Sequence, residues 1–372
     1  MTGAPTDLAG LPVTVMGLGL FGGGVAVSRW LCARGARVTV TDLRTAEELA
    51  PAVGALAGLD LRFVLGEHRR TDFTGAALVV ANPAVSPRNP HLEAARAAGV
   101  PVTSETELFL TRCPARVAAV TGTQGKSSTC FALAQLLAAS GFRVHLGGNI
   151  GRSLLEDLEG MSPEDIAVVE LSSYQLEALP CPAGNPAFPP RVEVVAITNV
   201  LADHLERHGS VEAYAAAKRK ILPLAAAGRG AAVLSAEDPR LAGWTEPGLE
   251  RIDFFPSRTS DTGLNMRGGR FRLDREVLGS IEDLRIRGDF QRENVLVALG
   301  MARRLGASAE RLAASIGSLR SLPHRLEDLG VRRGHRVWDN GVSTTPDSAA
   351  MICCVRNARR AASSVGNDNA SS

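Results

Sequence analysis

The chain has 372 residues, 45% hydrophobic and 4% aromatic, and its 41 basic and 39 acidic residues give a formal charge of +2. The length predicts two or three domains, and the balanced charge gives no reason to expect a nucleic-acid partner. No run of about 18 apolar residues predicts a membrane span, the N-terminus lacks the basic region of a signal peptide, and six scattered cysteines favour a reduced, cytoplasmic protein.

The first part of the chain, residues 12–110, alternates short apolar runs with stretches at helical spacing. The predicted strands are PVTVMG, ARVTVTD, LRFVLG and ALVVAN. Strands alternating with helices predict a parallel sheet in an α/β fold.

A glycine-rich turn follows the first predicted strand. Gly17, Gly19 and Gly22 have the Gly-x-Gly-x-x-Gly spacing, and Asp42 ends the next strand. This context predicts a site where backbone and a helix N-terminus meet a diphosphate. The diphosphate could belong to NAD or to a UDP-sugar, and the alternative is a tight turn that needs glycine only for packing.

A second α/β series begins near residue 116. Its predicted strands are RVAAVTG, FRVHLGG, IAVVELSS, VEVVAITNV and GAAVLSAED, and residues 180–191 form a proline-rich loop inside this unit. The pattern changes again around residues 321–330. The chain therefore predicts two α/β units followed by a third region.

The second unit contains a shortened phosphate-binding loop. Gly125, Lys126 and Ser127 resemble the end of the pattern Gly-x-x-x-x-Gly-Lys-Ser, but Val120 stands where the first glycine belongs and the nearest glycine is Gly122. Such a turn offers backbone N–H groups and a lysine charge to phosphates, and the serine hydroxyl suits Mg²⁺. The alternative is a glycine-rich turn with a chance Lys-Ser pair.

Four further side chains accompany this loop. Glu170 ends an apolar strand, where a carboxylate suits Mg²⁺, although alone it could be a solvated strand end. Asp203 and His204 follow the next strand, at the edge where open α/β sheets build their sites. Lys218 lies on the following predicted helix. A lone histidine is more often structural, but these neighbours favour a site.

Six motifs in order resemble the Mur ligase family. They are GTQGKSS, LGGNIG, VELSSYQLE, ITNVLADHLERH, AYAAAK and LPHRLE, and with GLGLFGGG they are most similar to its D-glutamate-adding branch. The resemblance runs from about residue 12 to about residue 350. It implies a Rossmann-like UDP-binding domain (1–112), a central P-loop ATP-binding domain (113–322) and a C-terminal ligase domain only begun (323–372).

The resemblance also implies roles for individual residues. The UDP-sugar would be bound by Gly17, Gly19, Gly22, Asp42, Arg44, Asn82 and Asn149. ATP would be bound by Gly122, Thr123, Gln124, Gly125, Lys126, Ser127, Ser128, Asn294 and Arg325. Ser127 and Glu170 would hold one Mg²⁺, and His204 a second one bridged by a carbamate on Lys218. Ser172, Gln175 and Arg207 fall in matching motifs.

The implied activity is an ATP-dependent ligation. ATP would convert the terminal carboxylate of UDP-N-acetylmuramoyl-L-alanine into an acyl phosphate, which the amine of glutamate, D-glutamate first, would then attack. Lys126, Glu170, His204 and Lys218 would be the catalytic group. The implied cofactors are ATP and two Mg²⁺, and the protein would act as a cytoplasmic monomer.

The sequence departs from the family pattern in three places. Phe290 and Gln291 replace a His-Asn pair, and Asn340-Gly341-Val342 replaces Asp-Ser-Lys near the ATP site. After Ser348 the tail lacks strand–helix alternation, so we expect a truncated third domain and impaired ligation. The alternatives are an inactive protein that still binds nucleotide, a branch adding L-glutamate, a folylpolyglutamate-type ligase, and a generic P-loop or nicotinamide enzyme.

Overall fold

The computed structural model describes residues 5, 7–19, 22–180, 192–257, 260–325 and 327–341. Within these ranges the strands form three sheets, of five, nine and two strands. Most of the predicted proline-rich loop, from residue 181 on, and the whole tail from Val342 lie outside the described residues.

The N-terminal sheet is fully parallel and has the strand order β3-β2-β1-β4-β5. Its strands are β1 (Pro12–Met16), β2 (Arg37–Asp42), β3 (Leu61–Leu65), β4 (Leu78–Ala81) and β5 (Val102–Thr103). The helices that accompany them are α1 (Gly23–Ala33), α2 (Ala50–Gly54), α3 (Arg70–Thr74), α4 (Pro90–Ala97) and α5 (Glu105–Arg112). The four predicted strands are confirmed, and the short β5 is an addition.

The strand order of this sheet positions a ligand site. The chain runs outward from β1 through β2 to β3 and then returns to the other side of β1 as β4. Loops leave the carboxyl ends of β1 and β4 in opposite directions, which opens a crevice between them. The glycine-rich turn after β1 lies at this crevice.

The central sheet is mixed and has the order β14-β13-β12-β11-β10-β9-β6-β8-β7. Strands from β7 to β12 pair in parallel, whereas β12, β13 and β14 pair antiparallel. The five predicted strands are β6 (Arg116–Thr121), β7 (Val144–Gly148), β8 (Ile166–Glu170), β9 (Val192–Ile197) and β10 (Ala231–Ser235). Four strands were not predicted, namely β11 (Glu250–Phe255), β12 (Leu264–Arg267), β13 (Arg270–Leu273) and β14 (Glu276–Ser280).

Helices cover the central sheet, and a small hairpin follows it. The helices are α6 (Lys126–Ala139), α7 (Ser173–Ala178), α8 (Leu205–His208), α9 (Val211–Arg219), α10 (Ile221–Ala226), α11 (Asp289–Arg304) and α12 (Ala309–Ser315), with 3₁₀ turns at Leu155–Gly160 and Ile316–Ser318. The hairpin pairs β15 (Glu327–Arg332) with β16 (His335–Asp339). In the described part of the chain, no helix combines the length and apolar character needed to cross a membrane.

The hydrophobic core is continuous between the two larger sheets. Trp30 of α1 belongs to the same buried cluster as Leu155 and Leu158 of the first 3₁₀ turn, which follows β7 of the central sheet. Each fully buried leucine stabilises the fold by about 1.5–3 kcal/mol relative to an exposed one. This packing holds the carboxyl edges of both sheets next to each other.

Candidate active site

The shortened phosphate loop joins β6 to α6 through two glycines that no other residue could replace. Gly122 has φ +149° and Gly125 has φ +84°, values that L side chains rarely adopt. A Cβ at Gly122 would lie 1.9 Å from Thr198 Oγ1, and one at Gly125 would lie 2.3 Å from Asn294 Oδ1. Val120 is instead buried in β6, so the turn needs no glycine there.

Two residues that sequence analysis missed hold this loop in place. Thr198 Oγ1 donates a hydrogen bond to the carbonyl of Gln124 at 2.5 Å. Asn199 accepts from the Gln124 N–H through its side-chain oxygen at 3.0 Å and from the Thr123 N–H through its carbonyl at 3.0 Å. Their position directly after β9, beside β6, was the available signal.

Lys126 begins α6 and folds back on its own loop. Its Nζ donates to the carbonyl of Thr123 at 2.9 Å. Burial lowers the pKa of Lys126, although the nearby Glu170 carboxylate acts in the opposite direction. Ser127 and Ser128 follow in a first turn that carries no acidic residue, so the N–H groups and dipole of this helix end can attract an anion.

Glu170 ends β8 beside the loop and has a buried, unpaired oxygen. The side chain is 2% exposed. One oxygen accepts from Asn149 Nδ2 at 2.9 Å, whereas Oε2 has no hydrogen-bond partner among the described residues. A buried carboxylate oxygen without a partner is costly, and Mg²⁺ prefers oxygen ligands. The arrangement therefore fits a divalent cation at Glu170.

Lys218 is fully buried behind the loop. Its Nζ donates to the carbonyl of Gly122 at 2.6 Å and lies 4.4 Å from the centroid of the Tyr214 ring. Burial, followed by the charge of Lys126, lowers the pKa of Lys218 to about 7, against the opposing fields of Asp203 and Glu170. In a large fraction of the molecules the Lys218 amine is therefore neutral near pH 7, and only a neutral amine can react with CO₂.

His204 lies at the rim of this group, just before α8. Its backbone is left-handed with φ +50°, and its side chain is 47% exposed. Nδ1 lies 3.4 Å from the hydroxyl of Tyr174 and 3.5 Å from Glu206 Oε1. Tyr174, another residue that sequence analysis missed, thereby contacts one ring nitrogen, and the other, Nε2, lies 3.6 Å from Asp203 Oδ2.

Asn294 and Arg325 also reach the phosphate loop. Asn294 is buried on α11, and its Nδ2 donates to Gln291 Oε1 at 3.1 Å. Gln291, a departure from the family pattern, thus holds Asn294 against Gly125. Arg325 Nη2 lies 3.5 Å from Ser127 Oγ.

The glycine-rich turn after β1 is held by residues at the carboxyl ends of β2 and β4. All three glycines have left-handed φ values: Gly17 +89°, Gly19 +65° and Gly22 +87°. Asp42 accepts from the N–H groups of Gly19 at 3.2 Å and Arg44 at 3.0 Å. A Cβ at Gly17 would lie 2.8 Å from Asn82 Cβ, so Asn82 closes directly over the turn.

A cavity of about 750 Å³ lies between the two larger sheets. It brings together predicted residues from both units: Gly17, Gly19, Asp42, Arg44, Asn82, Asn149, Ser172 and Gln175. Ser172 and Gln175 also cap the start of α7 with reciprocal hydrogen bonds. Asn149 both lines the cavity and contacts Glu170, so one side chain connects the cavity with the phosphate-loop group.

Arg207 fastens the two units to each other. Its guanidinium donates to the carbonyls of Ala84 at 3.1 Å and Val85 at 3.2 Å, in the cavity-lining loop after β4. It also pairs with Glu177 at 2.9 Å and lies 5.0 Å from the centroid of the Tyr174 ring. This arginine therefore fixes the cavity wall from the opposite unit.

Comparison with known proteins gives the same family in both units. The Mur ligase middle domain matches residues 120–302, and the MurD-like N-terminal domain of Mur ligases matches residues 12–104. A UDP-N-acetylmuramoylalanine–D-glutamate ligase from Roseiflexus sp. is 35% identical, over 92% of this chain and 75% of that protein. Its counterpart from Anaeromyxobacter dehalogenans is 39% identical, over 93% and 75%.

Solved structures share the fold at lower identity. A UDP-N-acetylmuramate:L-alanyl-gamma-D-glutamyl-meso-diaminopimelate ligase from Neisseria meningitides has a TM-score of 0.59 at 17% identity, covering 84% of this chain and 99% of that one. The UDP-N-acetylmuramate-alanine ligase of Thermotoga maritima has a TM-score of 0.57 at 19% identity, covering 93% and 77%.

Proposed function

Because the chain belongs to the Mur ligase family, we propose that it joins D-glutamate to UDP-N-acetylmuramoyl-L-alanine with ATP, in peptidoglycan precursor synthesis. The observation that carries the proposal is the unpaired, buried Oε2 of Glu170, a side chain that lies beside the phosphate loop and is joined to the large cavity through Asn149. Relatives that carry this activity match more than nine-tenths of the chain.

We propose two binding regions on either side of Asn149. The UDP-sugar occupies the cavity, with its diphosphate at the turn of Gly17, Gly19 and Gly22 and its acyl end near Asn149. The phosphates of ATP lie on the loop of residues 122–128, where backbone N–H groups and Lys126 balance their charge. Asn294 and Arg325 face the rest of this nucleotide.

The reaction proceeds in two steps. An oxygen of the substrate carboxylate attacks the γ-phosphorus of ATP, ADP leaves, and an acyl phosphate forms. The amine of glutamate then attacks the acyl carbon, inorganic phosphate leaves, and the nitrogen loses a proton. In this arrangement, Lys126 must leave the Thr123 carbonyl and turn to the γ-phosphate, whose developing negative charge it stabilises.

Glu170 and Ser127 are proposed to hold one Mg²⁺, and His204 and a carbamate on Lys218 a second one. Bound Mg²⁺ supplies positive charge to the phosphate oxygens. The lowered pKa of Lys218 supports the carbamate, because the neutral amine that CO₂ requires is present near pH 7. The carbamate would replace a cation by an anionic oxygen ligand.

We also propose the division into a UDP-binding unit (1–112), an ATP-binding unit (113–322) and a further ligase unit beginning at residue 323. We propose that the protein acts as a monomer. ATP and UDP-linked precursors are both cytoplasmic metabolites, so we propose the cytoplasm as the location.

The acyl phosphate can be tested without the second amino acid. Purified protein is incubated with ATP, Mg²⁺, UDP-N-acetylmuramoyl-L-alanine and hydroxylamine, which captures an acyl phosphate as a hydroxamate that mass spectrometry detects. We expect a hydroxamate only when both ATP and the UDP-substrate are present, and D-glutamate rather than L-glutamate should replace hydroxylamine as acceptor. Binding of both nucleotides with no hydroxamate would instead support the binding-only alternative.

A further inference from the structure

His68 forms part of the cavity wall and has no role in the chemistry above. It follows β3, is half-buried and lines the cavity together with Asp42, Leu43, Arg44 and Asn89. An acidic residue at the end of β2 is where dinucleotide-binding folds contact a ribose. If the diphosphate lies at the turn after β1, the nucleoside end of the ligand is directed toward β2 and the loop of His68.

The hydrogen bonds around His68 fix which ring nitrogen carries the proton. Thr41 Oγ1 lies 2.7 Å from His68 Nδ1 and donates to the Glu67 carbonyl at 3.0 Å. A hydroxyl has a single proton. Both contacts are hydrogen bonds only if the hydroxyl proton goes to Glu67 and His68 donates from Nδ1.

The other ring nitrogen is therefore an acceptor. Burial, followed by the neighbouring His91, lowers the pKa of His68, while Asp42 acts in the opposite direction. The lowered pKa favours the neutral ring, in which Nε2 carries a lone pair. Among the described residues, none donates a hydrogen bond to this nitrogen, so it remains available to a ligand.

We propose that His68 determines the nucleobase specificity of this cavity by accepting the N3–H of uracil at Nε2. This inference rests on the proposed binding of a UDP-linked substrate. Cytosine presents a lone pair at N3, so two acceptors would face each other and neither would gain a hydrogen bond. The ring is held in place by Phe73 and His91, whose centroids lie 5.9 Å and 5.3 Å away.

The test compares the binding of UDP and CDP to the full chain by calorimetry. Wild type should prefer UDP by about tenfold or more, as expected for one hydrogen bond and one unpaired acceptor. His68→Leu should bring the two affinities within about twofold, mainly by weakening UDP. Thr41→Val, which keeps the ring but frees its tautomer, should reduce the preference partway.

The outcomes separate this inference from the proposed function. A His68→Leu protein that folds and keeps the wild-type preference would overturn the role of His68 while leaving UDP binding intact. A wild type that binds neither UDP nor UDP-N-acetylmuramoyl-L-alanine would overturn both. If His68→Leu does not fold, N3-methyl-UDP replaces it as the probe, and equal binding of UDP and N3-methyl-UDP to wild type would refute the contact.

Discussion

Replacing the buried Lys218 by methionine should change how stability depends on pH. The pKa of this amine is about 7 in the folded protein, against an ordinary value of 10.5. The unfolded chain therefore binds more protons than the folded one between about pH 7 and pH 10.5, and the contribution of Lys218 to stability rises with pH over that window. Lys218→Met has no such group, so its stability relative to wild type should be greatest at low pH.

The size of the effect follows from integrating proton uptake over pH. Between pH 6 and pH 9 the free energy of unfolding of wild type should rise by about 2.5 kcal/mol more than that of Lys218→Met. Urea unfolding of both proteins at several pH values, in CO₂-free buffer, measures this difference. The loss of the bond to Gly122 shifts the variant equally at every pH and does not alter the slope.

Tyr214→Phe provides a matched control on the same helix. The pKa of Tyr214 is raised to about 12, mainly by burial, so this side chain stays neutral across the range and its variant should run parallel to wild type. If Lys218→Met also runs parallel to wild type, Lys218 is not a buried amine with a lowered pKa, and the support for its carbamate is lost.

Three further variants test the site directly. Glu170→Gln should lower substrate-dependent ATP turnover at least 100-fold and raise the Mg²⁺ concentration needed for half-activity, since the amide is a weaker metal ligand; an unchanged Mg²⁺ titration would argue against this metal site. Thr198→Val removes one hydrogen bond from the phosphate loop and should weaken ADP binding about 2–10-fold while leaving UDP binding unaffected, which calorimetry with the two nucleotides distinguishes. Arg207→Lys can no longer donate to both carbonyls of the loop after β4, so the KM for the UDP-substrate should rise about tenfold and hydrogen exchange in residues 82–86 should become faster. Unchanged exchange there would contradict the proposal that Arg207 holds this loop.

The sequence alone predicted those parts of the candidate site whose structure depends on a few consecutive residues. Gly122 and Gly125 need their left-handed backbone and have no room for a Cβ, so residue type alone reveals the loop. The predicted strands β1 and β8 are nearly continuous apolar runs because they are buried on both faces. Glu170 stood out as a candidate site residue because it is the charged residue that ends the apolar run of β8.

The remainder depends on contacts between distant segments. Thr198 and Asn199 act on a loop 74 and 75 residues away, and their sequence alone does not distinguish them from an ordinary strand end. Strands β13 and β14 were missed because arginine and glutamate interrupt their apolar pattern at the sheet edge. The role of Arg207 likewise appears only when the loop after β4 lies beside it.

The contact between Asn149 and Glu170 couples the affinity for the UDP-substrate to the affinity for the cation. The amide of Asn149 lines the cavity and donates to the carboxylate that we propose binds Mg²⁺. A UDP-substrate that repositions this amide alters the hydrogen bond that holds the carboxylate in place. By thermodynamic reciprocity, any factor by which the UDP-substrate strengthens cation binding is the factor by which the cation strengthens UDP-substrate binding. The two ligands then do not bind independently: the apparent affinity for each depends on how fully the other site is occupied.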